Sequence, residues 1–281
     1  MYEISIEDCD LEKIMDSGQV FRIRKMENGS FLAMAGKRAI RIRQEGTRLL
    51  FSCTQDEFLG FWKDYFDLPT DYAAIRHSID PADAYLTAAA SFGRGIRILR
   101  QDLWETILAF LISQNNNISR IQNSLEALCT RYGAKIEPEW SSSAIHCSEK
   151  LYAFPTPESL CSGGLEGLHG LGLGYRDKYI LKMAERCCGP TGKEWLKKLS
   201  ACGYEEAMNL LLQEYGIGRK VADCICLFSL HHVDAFPIDT HVRQILDMHY
   251  PEGFPFSRYQ GYAGILQQYL FYYKRSTHGN I

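Results

Sequence analysis

Apolar and basic residues alternate along the chain between Val20 and Cys53. They take alternate positions in two stretches: Phe21, Arg22, Ile23 and Arg24, and then Ile40, Arg41, Ile42 and Arg43. A period of two is typical of strands with one buried and one solvated face, and Asn28-Gly29 is a turn signal between strands. The pattern predicts hairpins of an antiparallel sheet with the arginines on the solvated face. A basic nucleic-acid surface is the alternative, but the alternation explains the charges without a ligand.

Beyond Pro69 the apolar residues follow helical spacing instead. Helices are predicted from about Asp102, where a capping-box-like sequence begins, and over about 118–132, 176–188, 192–200, 204–214, 219–230, 240–249 and 258–273. The segment 140–174 is rich in Ser, Pro and Gly, which predicts a connector with short helical pieces. The fold class is therefore α+β, with an N-terminal antiparallel sheet domain over 1–95 and a mainly helical domain over 96–281.

Composition limits the classes of function open to the chain. It has 281 residues, a net charge of −3 and ten cysteines that are scattered rather than spaced as a disulfide framework. No apolar run is long enough to cross a bilayer, and the acidic start lacks the features of a signal peptide. We expect a soluble intracellular monomer with reduced thiols and no membrane partner, located in the cytoplasm or nucleoid if the source is bacterial. Any affinity for DNA must come from local placement of charge.

A helix, turn, helix unit spans 205–230, with Gly216-Ile217-Gly218 at the turn. Glycines permit positive φ and close backbone approach, so the turn and the N-terminus of the second helix can direct N–H groups at a phosphate oxygen. A plain tight turn explains the same residues.

Lys220 and Asp239 flank this unit in a way that indicates chemistry. Lys220 lies in the first turn of the second helix, where the positive end of the helix dipole is expected to lower the pKa of the amine and make it a nucleophile. Cys224 follows one turn later on the same face. Asp239 precedes the next helix near its N-cap, where a carboxylate is held ionised and could offset a developing sugar cation. The alternative is that Asp239 only caps its helix and Lys220 only reaches toward solvent.

The sequence resembles the helix-hairpin-helix Gly/Pro-Asp (HhH-GPD) superfamily of DNA glycosylases, and within it the 8-oxoguanine DNA glycosylase/AP lyases. The resemblance rests on GIGRKVAD (216–223) and FPIDTH (236–241), supported by SGQVFR (17–22), ILRQDLWE (98–105), SQNNNISRI (113–121), GLGYRDKY (172–179) and YAGILQQYLF (262–271). These motifs cover nearly the whole chain in order. One departure is Tyr215, which stands where the family usually has a proline before the hairpin glycines.

The resemblance implies an activity and a set of site residues. Lys220 would attack the deoxyribose, expel the oxidised base and hold the sugar as a Schiff base through which β-elimination follows, while Asp239 would stabilise the cationic transition state. The base would be sandwiched by Cys224 and Phe271 and read by Gln267 and the Gly18 carbonyl, with His241 near the phosphate of the flipped nucleotide. Asn115, Arg120 and Arg176 would read the orphaned cytosine, and Tyr175 would fill the gap.

The expected substrate is duplex DNA with 8-oxoguanine opposite cytosine. The alternatives are a glycosylase for another lesion and a non-catalytic DNA-binding module that keeps the hairpin. No metal-ligand constellation is present, and the iron-sulfur ligands of related enzymes are missing. We therefore expect no cofactor, although the hairpin could bind a monovalent cation through carbonyl oxygens.

Overall fold

The structure is a computed structural model that describes residues 1–138 and 150–278. Within these residues, no helix combines the length and the apolar character that a membrane span requires. The first ten residues of the predicted connector, 140–149, lie outside the described residues, and so do the last three residues of the chain.

A five-stranded antiparallel sheet forms the N-terminal part, in the order β1-β5-β4-β3-β2. Its strands are β1 (Tyr2–Ser5), β2 (Ile23–Lys25), β3 (Phe31–Ala35), β4 (Arg38–Glu45) and β5 (Arg48–Phe51). The Asn28-Gly29 turn joins β2 to β3, with Ile23 opposite Ala33, so the predicted hairpin is confirmed. The first strand was not predicted, because four residues beside an acidic stretch give little periodicity.

The arginines of the sheet do not all lie on a solvated face. The side chain of Arg43 is 72% exposed, as predicted, but that of Arg22 is only 3% exposed. Its Nη1 forms an ion pair with Glu105 Oε2 at 3.2 Å, and Gly36 donates its N–H to the same oxygen at 3.0 Å. The prediction is wrong for Arg22 because a helix of the other domain covers that position and supplies a buried carboxylate.

Fourteen helices are assigned within the described residues, and those of the first third are short. They are α1 (Leu11–Asp16), α2 (Gln55–Glu57), α3 (Lys63–Tyr65), α4 (Tyr72–His77) and α5 (Ala84–Phe92), with a π-helical turn at Phe58–Trp62. The others are α6 (Leu103–Ser113), α7 (Ile118–Tyr132), α8 (Pro157–Leu168), α9 (Asp177–Cys187), α10 (Gly189–Ala201), α11 (Tyr204–Leu212), α12 (Arg219–Phe228), α13 (Thr240–His249) and α14 (Ala263–His278). A two-stranded ribbon joins β6 (Lys135–Ile136) to β7 (Leu151–Tyr152).

Most helices begin and end near their predicted bounds because capping residues fix them. Asp102, Asn117 and Asp239 cap α6, α7 and α13, each through a side-chain oxygen that accepts a backbone N–H. The last helix begins five residues later than predicted, since 256–262 form turns instead. Within the connector, α8 consists of two helical pieces that meet at Gly164, whose φ is +57°.

Two large hydrophobic cores meet along the segment 96–99. The sheet packs against residues up to Phe66, whereas α4 and α5 join the core of the helical part. Arg97, which is 1% exposed, lies between them and donates to the carbonyls of Asp8, Phe66, Asp67 and Thr70. The domain boundary at residue 95 stays a prediction.

Candidate active site

A cleft of about 1880 Å³ opens between the sheet domain and the helices. Five segments form it: the loop that follows α1, the loop between α6 and α7, the first turns of α12 and α13, and the last turns of α14. Seven of the predicted site residues line it, namely Gly18, Asn115, Arg120, Lys220, Asp239, His241 and Phe271.

Lys220 enters this cleft from the N-terminus of α12. Its Nζ lies 5.4 Å from the centroid of the Phe110 ring, which lines the same wall. The face of an aromatic ring attracts a cation and covers the amine on one side. Phe110 was not identified from the sequence, where it reads as an ordinary core position of α6.

Cys224 and Gln267 are predicted site residues that do not line the cleft, and they are 2% and 4% exposed. Burial raises the pKa of the Cys224 thiol to about 11, while the charge of Lys220 lowers it and that of Asp239 raises it. The thiol is therefore close to both residues and stays protonated. Gln267 donates from Nε2 to the Pro237 carbonyl at 2.9 Å, and its Oε1 is buried without a partner among the described residues.

Asp239 is the N-cap of α13. Its Oδ1 accepts the N–H of Val242 at 2.8 Å, which fixes the carboxylate at the positive end of the helix. Ile238, Thr240 and His241 line the cleft beside it. The carboxylate of Asp239 therefore both caps α13 and lines the cleft, so the two hypotheses for this residue, helix capping and a role in the site, are compatible.

Buried amides hold the loop that contains Gly18. Gln268 donates from Nε2 to the Ser17 carbonyl at 2.5 Å, and Gln19 donates to the Ser17 hydroxyl at 2.9 Å. Gln19 Oε1 in turn accepts the Leu99 N–H at 2.9 Å. Gly18 has φ +78°, and a methyl group placed on it would lie 3.1 Å from Phe271 Cε1. Both glutamines lie within motifs quoted above, SGQVFR and YAGILQQYLF, but their supporting role was not predicted, because the Leu99 partner of Gln19 and the Ser17 partner of Gln268 are far away in the chain.

Phe271 and His241 line the cleft together. Their ring centroids are 6.0 Å apart with an interplanar angle of 70°. Phe271 also packs against the Gly18 backbone. A flat ligand that stacked on Phe271 would therefore have its edge at Gly18.

The Asn115 loop forms the rim of the cleft. Asn116 and Asn117 close the ends of α6 and α7 through their side chains, whereas Asn115 is exposed with φ +47°. Arg120 is exposed as well. Arg176 is buried and donates to the carbonyls of Gln114, Asn115 and Leu173, so in this structure it supports the loop.

The hairpin connects to this rim. Gln114 donates from Nε2 to the Gly216 carbonyl at 3.0 Å. Gly216 has φ +88°, and a side chain there would clash with the Tyr179 ring. Gly218 is extended and gives α12 no side-chain cap, so the first-turn N–H groups of that helix remain available to an anion.

Three tyrosines lie in a row beside the hairpin. The ring centroids of Tyr175 and Tyr179 are 5.8 Å apart, and those of Tyr179 and Tyr215 are 5.2 Å apart. Tyr175 and Tyr215 are 52% and 58% exposed. Tyr215, which stands in place of the family proline, therefore packs its edge against the tyrosine that supports the Gly216 turn.

Metal-binding groups were sought in the described parts of the chain. There, no cluster of three or more His, Cys, Asp or Glu side chains could hold a metal ion. At the hairpin, the carbonyls of Gly216 and Gly218 already accept hydrogen bonds from Gln114 and Ala222. The monovalent cation at the hairpin stays a prediction.

Comparison with known proteins shows which family has this fold and this cleft. Residues 108–253 match the family model described as HhH-GPD superfamily base excision DNA repair protein, and residues 1–107 match the 8-oxoguanine DNA glycosylase N-terminal domain. The chain belongs to the HhH-GPD superfamily of base excision DNA repair proteins. Within that superfamily it belongs to the 8-oxoguanine glycosylase family.

Individual relatives agree with this assignment. An N-glycosylase/DNA lyase of Saccharomyces cerevisiae is 34% identical over 70% of this chain and 52% of its own length, and one of Arabidopsis thaliana is 30% identical over 82% and 63%. The chain thus spans between half and two thirds of these curated relatives. The Clostridium acetobutylicum 8-oxoguanine glycosylase/lyase, solved with duplex DNA containing cytosine opposite 8-oxoguanine, superposes with a TM-score of 0.87 at 31% identity, covering 98% of this chain and 94% of that chain.

Proposed function

We propose that the protein is a bifunctional DNA glycosylase/AP lyase that removes 8-oxoguanine opposite cytosine from duplex DNA, as a monomer. One observation carries the proposal: Lys220, Asp239, Gly18 and Phe271 come from four distant segments and line a single cleft. A non-catalytic module that used only the hairpin would not need this convergence. Base removal requires a nucleophile, an anion and a base pocket around one extruded nucleotide, because the anomeric carbon is not accessible inside a duplex.

The proposed reaction begins with attack of the neutral Lys220 amine on C1′. The C1′–N9 bond breaks, and its electron pair leaves with the base. The amine loses one proton, the C1′–O4′ bond then opens as the sugar oxygen takes up a proton, and a protonated Schiff base forms between Nζ and C1′. Removal of a C2′ proton then expels the 3′ phosphate and cleaves the strand. Asp239 offsets the positive charge on the sugar, an effect strongest in a site that excludes water.

Base recognition is proposed to use Gln267, Gly18, Phe271 and Cys224. The buried Gln267 Oε1 has no hydrogen-bond partner in the described parts of the chain and can accept from the Watson-Crick edge of the flipped base. The Gly18 carbonyl would accept the N7–H that 8-oxoguanine has and guanine lacks. For guanine, two acceptors would face each other, and this mismatch rejects the normal base.

Recognition of the orphaned cytosine is proposed to use the cleft rim. Asn115 and Arg120 are exposed there, and Tyr175 offers a ring to replace lost stacking. Arg176 would have to give up at least one of its hydrogen bonds to backbone carbonyls in order to donate to the edge of the cytosine. The hairpin N–H groups, with Gly216 and Gly218, would bind the phosphate backbone, and His241 the phosphate of the flipped nucleotide.

Borohydride trapping on a duplex with 8-oxoguanine opposite cytosine tests the nucleophile. The wild type should form a covalent adduct, and Lys220→Gln should bind the duplex but form none, because an amide cannot give a Schiff base. An adduct with Lys220→Gln would refute the assignment. A wild type that bound without excision or adduct would favour the non-catalytic module, and excision of other lesions only would favour a different glycosylase.

Asp239→Asn tests the anion in the same assay. Asparagine keeps the helix cap, so we expect wild-type binding and a single-turnover excision rate lowered by about 100-fold. Asp71→Asn is the matched control, since Asp71 caps α4 through the same kind of bond and does not line the cleft. An unchanged rate for Asp239→Asn would remove it from the mechanism.

A further inference from the structure

Arg275 lines the same cleft, one turn beyond Phe271 on α14. No family motif discussed above extends to it. Its guanidinium carbon lies 5.7 Å from the centroid of the Phe271 ring. A cation is therefore fixed beside the ring on which the flipped base is proposed to stack.

The guanidinium is only partly satisfied within the protein. Nη2 donates to the carbonyl of Asp16. Nη1 is buried and has no hydrogen-bond partner among residues 1–138 and 150–278. A buried donor without an acceptor costs about 1–3 kcal/mol, and more when it is charged. Such a group in a cleft indicates that a ligand supplies the missing acceptor.

The position of Nη1 indicates which part of a ligand that is. A methyl group placed on Gly18 would lie 3.5 Å from Nη1 and 3.1 Å from the edge of Phe271. Nη1 of Arg275, the backbone of Gly18 and the edge of the Phe271 ring are therefore close together. A purine stacked on Phe271 with N7–H at the Gly18 carbonyl presents its C8 substituent next to that carbonyl, beside Nη1.

We propose that Arg275 is a catalytic residue that donates a hydrogen bond from Nη1 to the C8 carbonyl oxygen of 8-oxoguanine and stabilises the base as it departs. The inference rests on the proposed function and adds a contact to the base pocket. Gly18 and Arg275 then form a complementary pair, one accepting from N7–H and the other donating to the adjacent oxygen. Guanine carries C8–H at this place and leaves the donor unsatisfied.

The hydrogen bond from Arg275 to the C8 oxygen would speed excision because of how charge develops on the departing base. When C1′–N9 breaks, both electrons leave with the base, and the negative charge spreads through the five-membered ring onto the C8 oxygen. That oxygen becomes a stronger acceptor in the transition state than in the bound substrate. A fixed guanidinium lowers the barrier through this difference. Burial lowers the pKa of Arg275, yet arginine remains protonated in proteins.

A DNA phosphate is the other acceptor that a guanidinium in this cleft could bind. The two roles differ in which substrates they affect. A phosphate contact would serve intact and abasic DNA alike, whereas the C8 oxygen exists only before the base has left. Comparing the two substrates therefore separates the roles.

The test measures single-turnover excision of 8-oxoguanine and, separately, cleavage of a preformed abasic site in the same duplex. For Arg275→Met we expect excision to slow about 10- to 100-fold and abasic-site cleavage to stay within about two-fold of wild type, as expected for a contact made only to the base. Arg258→Met is the matched control, because Arg258 is half-exposed, pairs with Asp80 and lies outside the cleft lining. It should leave both rates unchanged.

Arg275→Leu, which also removes the donor, is measured in the same way and replaces the methionine variant if that variant does not fold. Excision at the wild-type rate would overturn the proposal, and so would equal losses on both substrates. The proposed function depends only on whether the wild type excises 8-oxoguanine and cleaves the abasic site. Failure of the Arg275 contrast would therefore leave the glycosylase/lyase assignment intact.

Discussion

Gly18 and Gly29 share a backbone φ of +78° but differ in their surroundings. A methyl group on Gly29 would meet nothing within 4 Å, whereas one on Gly18 would lie 3.1 Å from Phe271 Cε1. The left-handed conformation costs a non-glycine residue about 1–2 kcal/mol at either position. Only at Gly18 would the side chain also contact Phe271 in the proposed base pocket. A substitution at Gly29 therefore reports the cost of backbone strain alone, whereas one at Gly18 reports that cost together with the contact with Phe271.

We therefore expect Gly18→Ala and Gly29→Ala to lower the free energy of unfolding by similar amounts, about 1 kcal/mol each. Gly18→Ala alone should slow excision of 8-oxoguanine, because Phe271 must move from the position that stacks the base. Thermal unfolding and single-turnover excision measure the two effects. Equal excision rates in both variants would show that the space beside Gly18 does not matter.

At the scale of elements, a buried hydrogen bond joins the two helices of the hairpin. The Tyr204 hydroxyl of α11 donates to Asp223 Oδ1 of α12 at 2.6 Å. Burial raises the pKa of the Asp223 carboxyl, against the hydrogen bond from Tyr204 and the charge of Arg219, which lower it. This bond lies one turn from Lys220, so it holds the helix that carries the proposed nucleophile.

A raised pKa in the folded state means that ionised Asp223 opposes folding. The folded protein binds the proton more tightly than the unfolded chain, so stability falls as the pH rises from the ordinary aspartate value through the folded pKa. We expect the melting temperature of Asp223→Asn, relative to wild type, to increase as the pH rises from the ordinary aspartate pKa and to level off above the raised pKa of the folded state. A difference that is independent of pH would contradict this.

Tyr204→Phe is the companion variant. It leaves the buried carboxylate without its donor, so we expect a loss of about 1–3 kcal/mol in unfolding free energy at pH 7.

At the scale of the whole molecule, the segment between the two cores carries a buried arginine. Arg97 bonds to carbonyls of the loop after α3 and of the segment before α1, and the Gln19–Leu99 bond ties the Gly18 loop to the same segment. The relative position of sheet and helices therefore decides where Gly18 stands in the cleft.

Arg97→Met should lower the unfolding free energy by about 3 kcal/mol or more, because several buried carbonyls lose their donor together. Arg43→Met is the control for loss of a charge, since the Arg43 side chain is 72% exposed and pairs with Glu45. Denaturant unfolding measures both. A loss for Arg97→Met as small as that for Arg43→Met would show that the junction does not depend on this side chain.

Much of the fold could be predicted from local sequence. The caps Asp102, Asn117 and Asp239 and the Asn28-Gly29 turn act on neighbours within a few residues, so their signals are visible in one sequence. The motif around Lys220 and Asp239 likewise indicated the chemistry before the cleft was known. The late start of α14 was not visible, because tertiary contacts of the preceding turns set it.

Local sequence patterns predicted the succession of strands and helices, the ends of most helices and the residues proposed as nucleophile and anion. Long-range packing buries Arg22, places Gln268 on the Gly18 loop across 251 positions, and leaves Arg275 Nη1 beside Phe271 without a hydrogen-bond partner among the described residues. The physical reason is the range of the interactions. Helix caps and turns satisfy backbone groups nearby in the chain, whereas the partner of a buried polar side chain depends on which distant segments meet around it.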